Sequence, residues 1–172
     1  MTGRELFAAS DQPRFFYVVG GMGSAPAIGF GIARALPRQR VVVLDGDGAA
    51  LMRLGTLATI GMYQPSNLLH IILDNEAHDS TGGQPTASSI ARFAQIAAAL
   101  NYRRAITVNQ ARDLTESIRQ LSELPGPVLL HVKIRPGSTR GIGRPALKPH
   151  ETRERFMEWL KRQSLRPTEI TS

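Results

Sequence analysis

Three short stretches of this chain carry residue types that suit phosphate and metal chemistry. The first is Gly46-Asp47-Gly48, with Ala49 behind it, at the end of the apolar run Val41–Gly46. Glycines let a backbone approach an anion closely, and a helix opening there offers unpaired N–H groups to a phosphate. Asp47 sits where a hard cation bridging two phosphates would take a carboxylate. By itself the tripeptide is also an ordinary turn sequence. The second stretch closes the next apolar run with Asp74-Asn75 and continues through Ala77 to His78-Asp79-Ser80-Thr81-Gly82-Gly83-Gln84. Gly48 and Asn75 are separated by the length of one helix plus one strand, so Asn75 returns to the sheet edge beside Asp47. A carboxylate, an amide oxygen and a nearby carbonyl suit Mg2+, which takes oxygen ligands and often keeps phosphate oxygens among them. His78 could orient an anion or shuttle a proton; a loop histidine held by Asp79 is the plainer alternative. The third stretch is Gly20-Gly21-Met22-Gly23-Ser24.

These stretches need a scaffold that gathers them at one edge. Phe15–Gly20, Val41–Gly46, Leu68–Asn75, Ala105–Asn109 and Val128–Arg135 read as strands. They are Val- and Ile-rich and nearly continuous, as strands buried on both faces are. Helical patterns lie between them at Ser24–Leu36, Ala49–Met62, Ser88–Leu100 and Gln110–Ser122. Alternating strands and helices predict an α/β fold, a parallel sheet with helices on both faces. Ligands of such folds bind beyond the carboxyl ends of the strands, where all three stretches fall. Pro136–Pro149 has no periodicity and reads as a long loop. Glu151–Arg162 reads as an amphipathic helix with Phe156, Trp159 and Leu160 on one face. The expected organisation is a single domain over residues 1–163 and a flexible tail over 164–172. Of the remaining histidines, His70 and His131 lie inside strands and read as structural, while His150 reads as surface.

Composition narrows the function classes. A chain of 172 residues holds one domain with a sizeable core. It has no cysteine, so disulfides, thiol catalysis and thiolate metal sites are excluded. No apolar run is long enough to span a membrane, and no basic-then-apolar leader opens the chain. A cytoplasmic location is expected. The net charge is +7, and the excess basic residues crowd the last quarter, Arg140 and Arg144 among them. No aromatic-rich motif or recognition-helix pattern accompanies that charge, so nucleic acid is not the expected partner. A solvated basic face, or a surface for an acidic partner subunit, fits better, and an anionic substrate could also profit from the field.

The glycine-aspartate-glycine motif followed by Asn75 resembles the diphosphate-binding motif of thiamine diphosphate (ThDP) enzymes. The resemblance implies that Asp47, Asn75 and the Ala77 carbonyl hold Mg2+. It also implies that Gly46, Gly48 and Ala49 lie against the diphosphate. Val19–Ser24 resembles the stretch upstream of that motif. There Met22 would wedge the cofactor into its bent form, and Gly20, beside Gly21, would accept from the pyrimidine amino group. Asp45–Met52, Leu57–Gly61 and Asp74–Thr86, with Arg4–Phe7 and Gly143-Arg144-Pro145, resemble the phosphonopyruvate and sulfopyruvate decarboxylase branch of the family. The likeness runs from about Thr2 to Met157. It departs at Gly141-Ile142, where that branch has an acidic residue and a leucine.

The resemblance implies a ThDP- and Mg2+-dependent 2-oxo acid decarboxylase for 3-phosphonopyruvate or 3-sulfopyruvate, with His78 as the candidate catalytic side chain. Such chemistry needs a glutamate against the cofactor's pyrimidine, which the family carries on a separate pyrimidine-binding domain. Neither Glu5 nor Glu76 suits that role. A pyrimidine-binding α subunit that supplies the glutamate is therefore expected, in a hetero-oligomer, and the chain by itself is expected to be inactive. An acetolactate-synthase-like subunit and a non-catalytic ThDP-binding module are the alternative readings.

Overall fold

The structure is a computed structural model and describes residues 2–137, 141–143 and 145–164. In chain order it contains α1 (Thr2–Ala9), α2 (Ala25–Ala35), β1 (Val41–Gly46), α3 (Asp47–Met52), α4 (Gly55–Tyr63) and β2 (Leu68–Asp74). A short pair, β3 (Ala77–His78) and β4 (Gln84–Pro85), follows. Then come a 3-10 turn (Ala87–Ser89), α5 (Phe93–Ala99), β5 (Arg104–Val108), α6 (Ala111–Glu123), β6 (Val128–Lys133) and α7 (Pro149–Ser164). Residues 165–172, most of the expected tail, lie outside the described residues. The chain divides into two units, one built from Thr2 and residues 21–137, the other from residues 3–20 and the described residues after 140.

The first unit is an α/β layer. Four parallel strands stand in the order β1-β2-β6-β5. The two central strands, LLHIILD and VLLHVK, are apolar nearly throughout because both of their faces are covered. Side chains of successive strand residues alternate between the faces. Leu68, Ile72 and Leu129 pack on one side with Ala33 of α2, Leu57 and Ile60 of α4, and Phe93 and Ala97 of α5. Leu69, Ile71, Val128, Leu130 and Val132 pack on the other with Leu121 of α6. Two long-range tethers hold helix ends to this layer. Asn67 Nδ2 lies 3.2, 2.9 and 2.7 Å from the carbonyls of Ala33, Leu36 and Gln39. Arg40 donates to the carbonyls of Leu121 and Leu124 at 2.8 and 2.9 Å, capping the C-terminus of α6.

The second unit corrects one expectation. Phe15–Gly20 forms no strand. Its aromatic residues are engaged otherwise: Phe7 meets Tyr17 edge-on at 5.8 Å, and Phe16 meets Phe156 of α7 at 5.5 Å. Tyr17 donates its hydroxyl to Asp11 at 3.0 Å, and Arg155 also binds Asp11, at 2.6 Å. A short apolar run signals burial but not the partner that buries it.

Two expected helices are also shorter or divided. The expected Ala49–Met62 helix breaks at Arg53, which leaves helical geometry at φ −135° and ψ 44°. In place of the expected Ser88–Leu100 helix stand a 3-10 turn, Ala87–Ser89, capped by Thr86 Oγ1 accepting from the Ser88 N–H, and α5 from Phe93.

Candidate functional site

The site grows from the ends of β1 and β2. Gly46 leaves β1 in an extended conformation (φ −99°, ψ 157°) and passes directly into α3, whose first residue is Asp47. The parallel register sets Gly46 beside Leu73, one residue before Asp74, so the two strands deliver Asp47 and Asn75 to one edge. Asp47 is only 3% exposed.

After Asp74 the chain turns sharply. Glu76 adopts a left-handed φ of 59°. Its N–H donates to Asp74 Oδ1 at 3.0 Å, and the N–H of Ala77 donates to Asn75 Oδ1 at 3.1 Å. Asn75 Nδ2 donates to Asp79 Oδ2 at 2.5 Å. Ala77-His78 then pairs antiparallel with Gln84-Pro85. Thr86 N–H donates to Glu76 C=O at 2.9 Å, a bond that flanks the Ala77–Pro85 pair. Ala77 is therefore at a position whose own carbonyl points away from the partner strand. At the tip, the N–H groups of Thr81 and Gly83 close onto the His78 carbonyl at 2.9 and 3.0 Å.

This hairpin folds back onto the glycine-aspartate-glycine motif. A Cβ built on Gly48 would stand 2.7 Å from both Cε1 and Nδ1 of His78 and 3.5 Å from the Thr86 methyl. The imidazole thus occupies the space a side chain at position 48 would need. The Gly21–Ser24 turn arrives from the other direction. Gly23 has φ 82°, and a Cβ there would stand 2.8 Å from the Ala49 carbonyl. Gly23 is therefore the residue that lets the turn lie against α3, while the neighbouring Met22 is 42% exposed. Gly21 accepts from Ser24 N–H at 2.9 Å.

Beneath the hairpin runs a buried polar chain. Thr86 Oγ1 donates to Asp47 Oδ2 at 2.5 Å and lies 2.8 Å from Ser88 Oγ. Ser88 Oγ donates to Asp74 Oδ1 at 2.7 Å. On its other oxygen Asp74 meets His131 Nε2 at 2.8 Å and Lys133 Nζ at 2.9 Å. His131 Nδ1 is 3.2 Å from Thr107 Oγ1. Lys133 also bonds Glu76. Burial alone would raise the Asp74 carboxyl, but its hydrogen bonds from Lys133, Ser88, His131 and the Glu76 N–H outweigh it and hold the carboxyl down at about 2.

The structure thus brings Gly21, Met22, Gly46, Asp47, Gly48, Ala49, Asn75, Ala77 and His78 into one unit. Gly20, at φ 76°, belongs to the other. Arg140 and Arg144 lie outside the described residues. His70 is fully buried in β2, as its place in an apolar run implied, and His150 is exposed. Sequence reasoning assigned no role to Thr86, Ser88 or Gly23 and gave Asp74 none beyond closing its apolar run. The available signal was position: Thr86 closes the same distinctive stretch that carries His78.

The donor set fits a hard cation. Among the described residues no three His, Cys, Asp or Glu side chains cluster to cage a metal. Asp47, the Asn75 amide oxygen and the Ala77 carbonyl are all oxygen donors and carry one formal charge among them. Such a set suits Mg2+ that completes its shell with phosphate oxygens and water.

Comparison with known proteins identifies the family of the chain. Residues 1–132 match the family described as thiamine pyrophosphate enzyme, C-terminal TPP binding domain. The chain is 49% identical over 158 residues to a phosphonopyruvate decarboxylase of Streptomyces hygroscopicus, covering 92% of this chain and 39% of that protein. It is 40% identical over 135 residues to a sulfopyruvate decarboxylase subunit beta of Methanothermobacter thermautotrophicus, covering 78% of this chain and 70% of that one. The chain therefore spans about two fifths of the Streptomyces relative but most of the archaeal subunit. In fold it is similar to a thiamine diphosphate-dependent 4-hydroxybenzoylformate decarboxylase of Rhodococcus jostii. The TM-score is 0.60 at 22% identity, over 70% of this chain and 24% of that one.

Proposed function

The chain belongs to the thiamine pyrophosphate enzyme family, through the C-terminal TPP binding domain, and from that premise we propose that it is the diphosphate- and Mg2+-binding half of a 2-oxo acid decarboxylase. The substrate class is 3-phosphonopyruvate or 3-sulfopyruvate. The observation that carries the reading is the closure of the hairpin onto the motif. His78 covers Gly48, and Asp47 and Asn75 share one strand edge. The names of the two relatives support the substrate class.

Each residue then has a task. Asp47, Asn75 Oδ1 and the Ala77 carbonyl hold the cation, and Gly46, Gly48 and Ala49 offer backbone to the diphosphate. Asn75 Oδ1 must release the Ala77 N–H or share it to do so. The exposed Met22 supports the cofactor's bent form, with Gly20 and Gly21 beside it. Thiamine diphosphate bound there supplies the nucleophile for the substrate ketone and the electron sink for loss of CO2. His78 orients the substrate anion or moves a proton beside it. The glutamate that activates the cofactor comes from a pyrimidine-binding α subunit; the subunit naming of the archaeal relative supports such a partner.

Two measurements test this. Calorimetric titration with ThDP and Mg2+ is expected to give weak binding to the chain alone and tight binding once a pyrimidine-binding partner is added. In the same titration Asp47→Ala abolishes metal-dependent cofactor binding; retained affinity overturns the metal assignment. The complex is then assayed on both substrates, where the chain alone gives no turnover. Full turnover from a partner-free sample removes the need for the α subunit.

A further inference from the structure

The buried chain below the hairpin does more than fill space. Asp47, Thr86, Ser88, Asp74 and His131 are each less than a tenth exposed. They come from α3, the segment after β4, the 3-10 turn, β2 and β6; Thr86 and Ser88 share a local cap, and no local turn explains how that pair meets Asp47, Asp74 and His131. We infer that Thr86 and Ser88 are positioning residues for the metal: they tie the Asp47 carboxylate to the Asp74–His131 pair inside the sheet, fixing Oδ2 and leaving Oδ1 for the cation. This rests on the reading of Asp47 as a metal ligand and deepens it.

The direction of each bond follows from the donors available. A carboxylate only accepts. Thr86 has one hydroxyl proton, which goes to Asp47, and its oxygen accepts from Ser88 N–H at 3.2 Å. Ser88 has one hydroxyl proton, which goes to Asp74. Asp74 is anchored in turn by His131, Lys133 and the Glu76 N–H. The result is a carboxylate whose rotation about its last bond is stopped at one oxygen. A carboxylate that binds metal through one oxygen gains affinity when its other oxygen is held, because no ordering remains to be done on binding. Threonine suits the position for a second reason. Its branched Cβ restricts χ1, and its methyl faces Gly48. The backbone N–H of the same residue donates to the Glu76 carbonyl, so one residue fixes the ligand carboxylate with its side chain and the hairpin that carries Asn75, Ala77 and His78 with its main chain.

The test separates hydroxyl from shape. Mn2+ is titrated into the chain with saturating ThDP, with and without the partner subunit, and free Mn2+ is read by electron paramagnetic resonance. Thr86→Val keeps the branched shape and loses the donor; its Mn2+ affinity is expected to fall about 10- to 100-fold. Thr86→Ser keeps the donor and is expected to stay within about threefold of the parent, as a role that rests on the hydroxyl requires. Ser88→Ala, one bond further away, is expected to lose several-fold. Thermal melting of each variant separates lost affinity from lost fold. Parent-like Mn2+ affinity in a folded Thr86→Val, or failure of Thr86→Ser to restore it, overturns the inference alone. Absence of ThDP-dependent Mn2+ binding in the parent overturns the proposed function and this inference together.

Discussion

The sheet contains two aspartate–histidine pairs, and they are built to opposite standards. Asp74 of β2 and His131 of β6 meet at 2.8 Å. Asp45 of β1 and His70 of β2 stand 3.7 Å apart. Both pairs join neighbouring strands, both lie on the face covered by α2, α4 and α5, and all four side chains are buried. Around the first pair each polar atom has a partner: Ser88, Lys133 and the Glu76 N–H on the aspartate, Thr107 on the histidine. Around the second, Asp45 Oδ2 and both ring nitrogens of His70 have no hydrogen-bond partner among the described residues. Only Asp45 Oδ1 is engaged, by its neighbouring Gly46 N–H at 3.1 Å. A buried polar group stabilises when satisfied and costs free energy when it is not. Proximity of an acid to a histidine therefore says little by itself. The groups around the pair decide whether it is a strut or a burden.

The same substitution at both aspartates tests that contrast, and its largest expected effect is at position 74. Asp74→Asn replaces one acceptor oxygen with an NH2 that faces donors and removes the charge that holds Lys133. Removing one member of a buried, fully partnered ionic group costs about 3–5 kcal/mol. Urea denaturation, read as a fall in the midpoint at unchanged slope, measures it. A loss below about 1 kcal/mol would place Asp74 with the poorly partnered class, since that is the worth of an exposed ion pair.

A smaller effect appears with acid. The Asp74 carboxyl is held at about 2, below its ordinary 3.8. A carboxyl depressed on folding contributes stability that is fully present above its unfolded value and is lost as pH falls through the folded one. The contribution is about 2 kcal/mol, lost between roughly pH 4 and pH 2. Asp11, lowered chiefly by its hydrogen bond from Arg155, acts in the same direction. The difference in pH dependence between the parent chain and Asp74→Asn isolates the Asp74 share. Parallel stability–pH curves would show that Asp74 contributes none.

The two pairs also mark what a sequence can reveal. β2 and β6 were legible because a strand covered on both faces has to be apolar at nearly every position. Phe15–Gly20 has the same appearance, yet its rings pack against Phe7 and Phe156, because apolar pattern records burial and not pairing. Asp47 and Asn75 were legible because one helix and one strand of chain return to the same edge. Thr86 was not. Its partner Asp47 lies 39 positions away, and a hydroxyl carries no preference for one carboxylate over another until the fold presents it. His131 and Asp74, 57 positions apart, read separately as a strand residue and the end of a strand for the same reason. Gly48 was read as room for an anion's approach, but that the His78 ring stands where its Cβ would be was not legible.

The smallest expected effect is the most informative for the comparison. Asp45→Asn keeps the side chain's size, so packing is preserved. The amide oxygen still accepts the Gly46 N–H, which is the only hydrogen bond Asp45 makes among the described residues. The new NH2 supplies the donor a carboxylate lacks and turns it toward His70 Nε2, whose own partner is missing. Two unmet groups become a potential pair, and nothing satisfied is lost. Stability is expected to stay within about 0.5 kcal/mol of the parent or rise by up to about 1 kcal/mol, the worth of one hydrogen bond. Urea denaturation under the conditions used for Asp74→Asn measures it. If Asp45→Asn costs as much as Asp74→Asn, the number of partners around a buried aspartate–histidine pair is not what sets its contribution in this sheet.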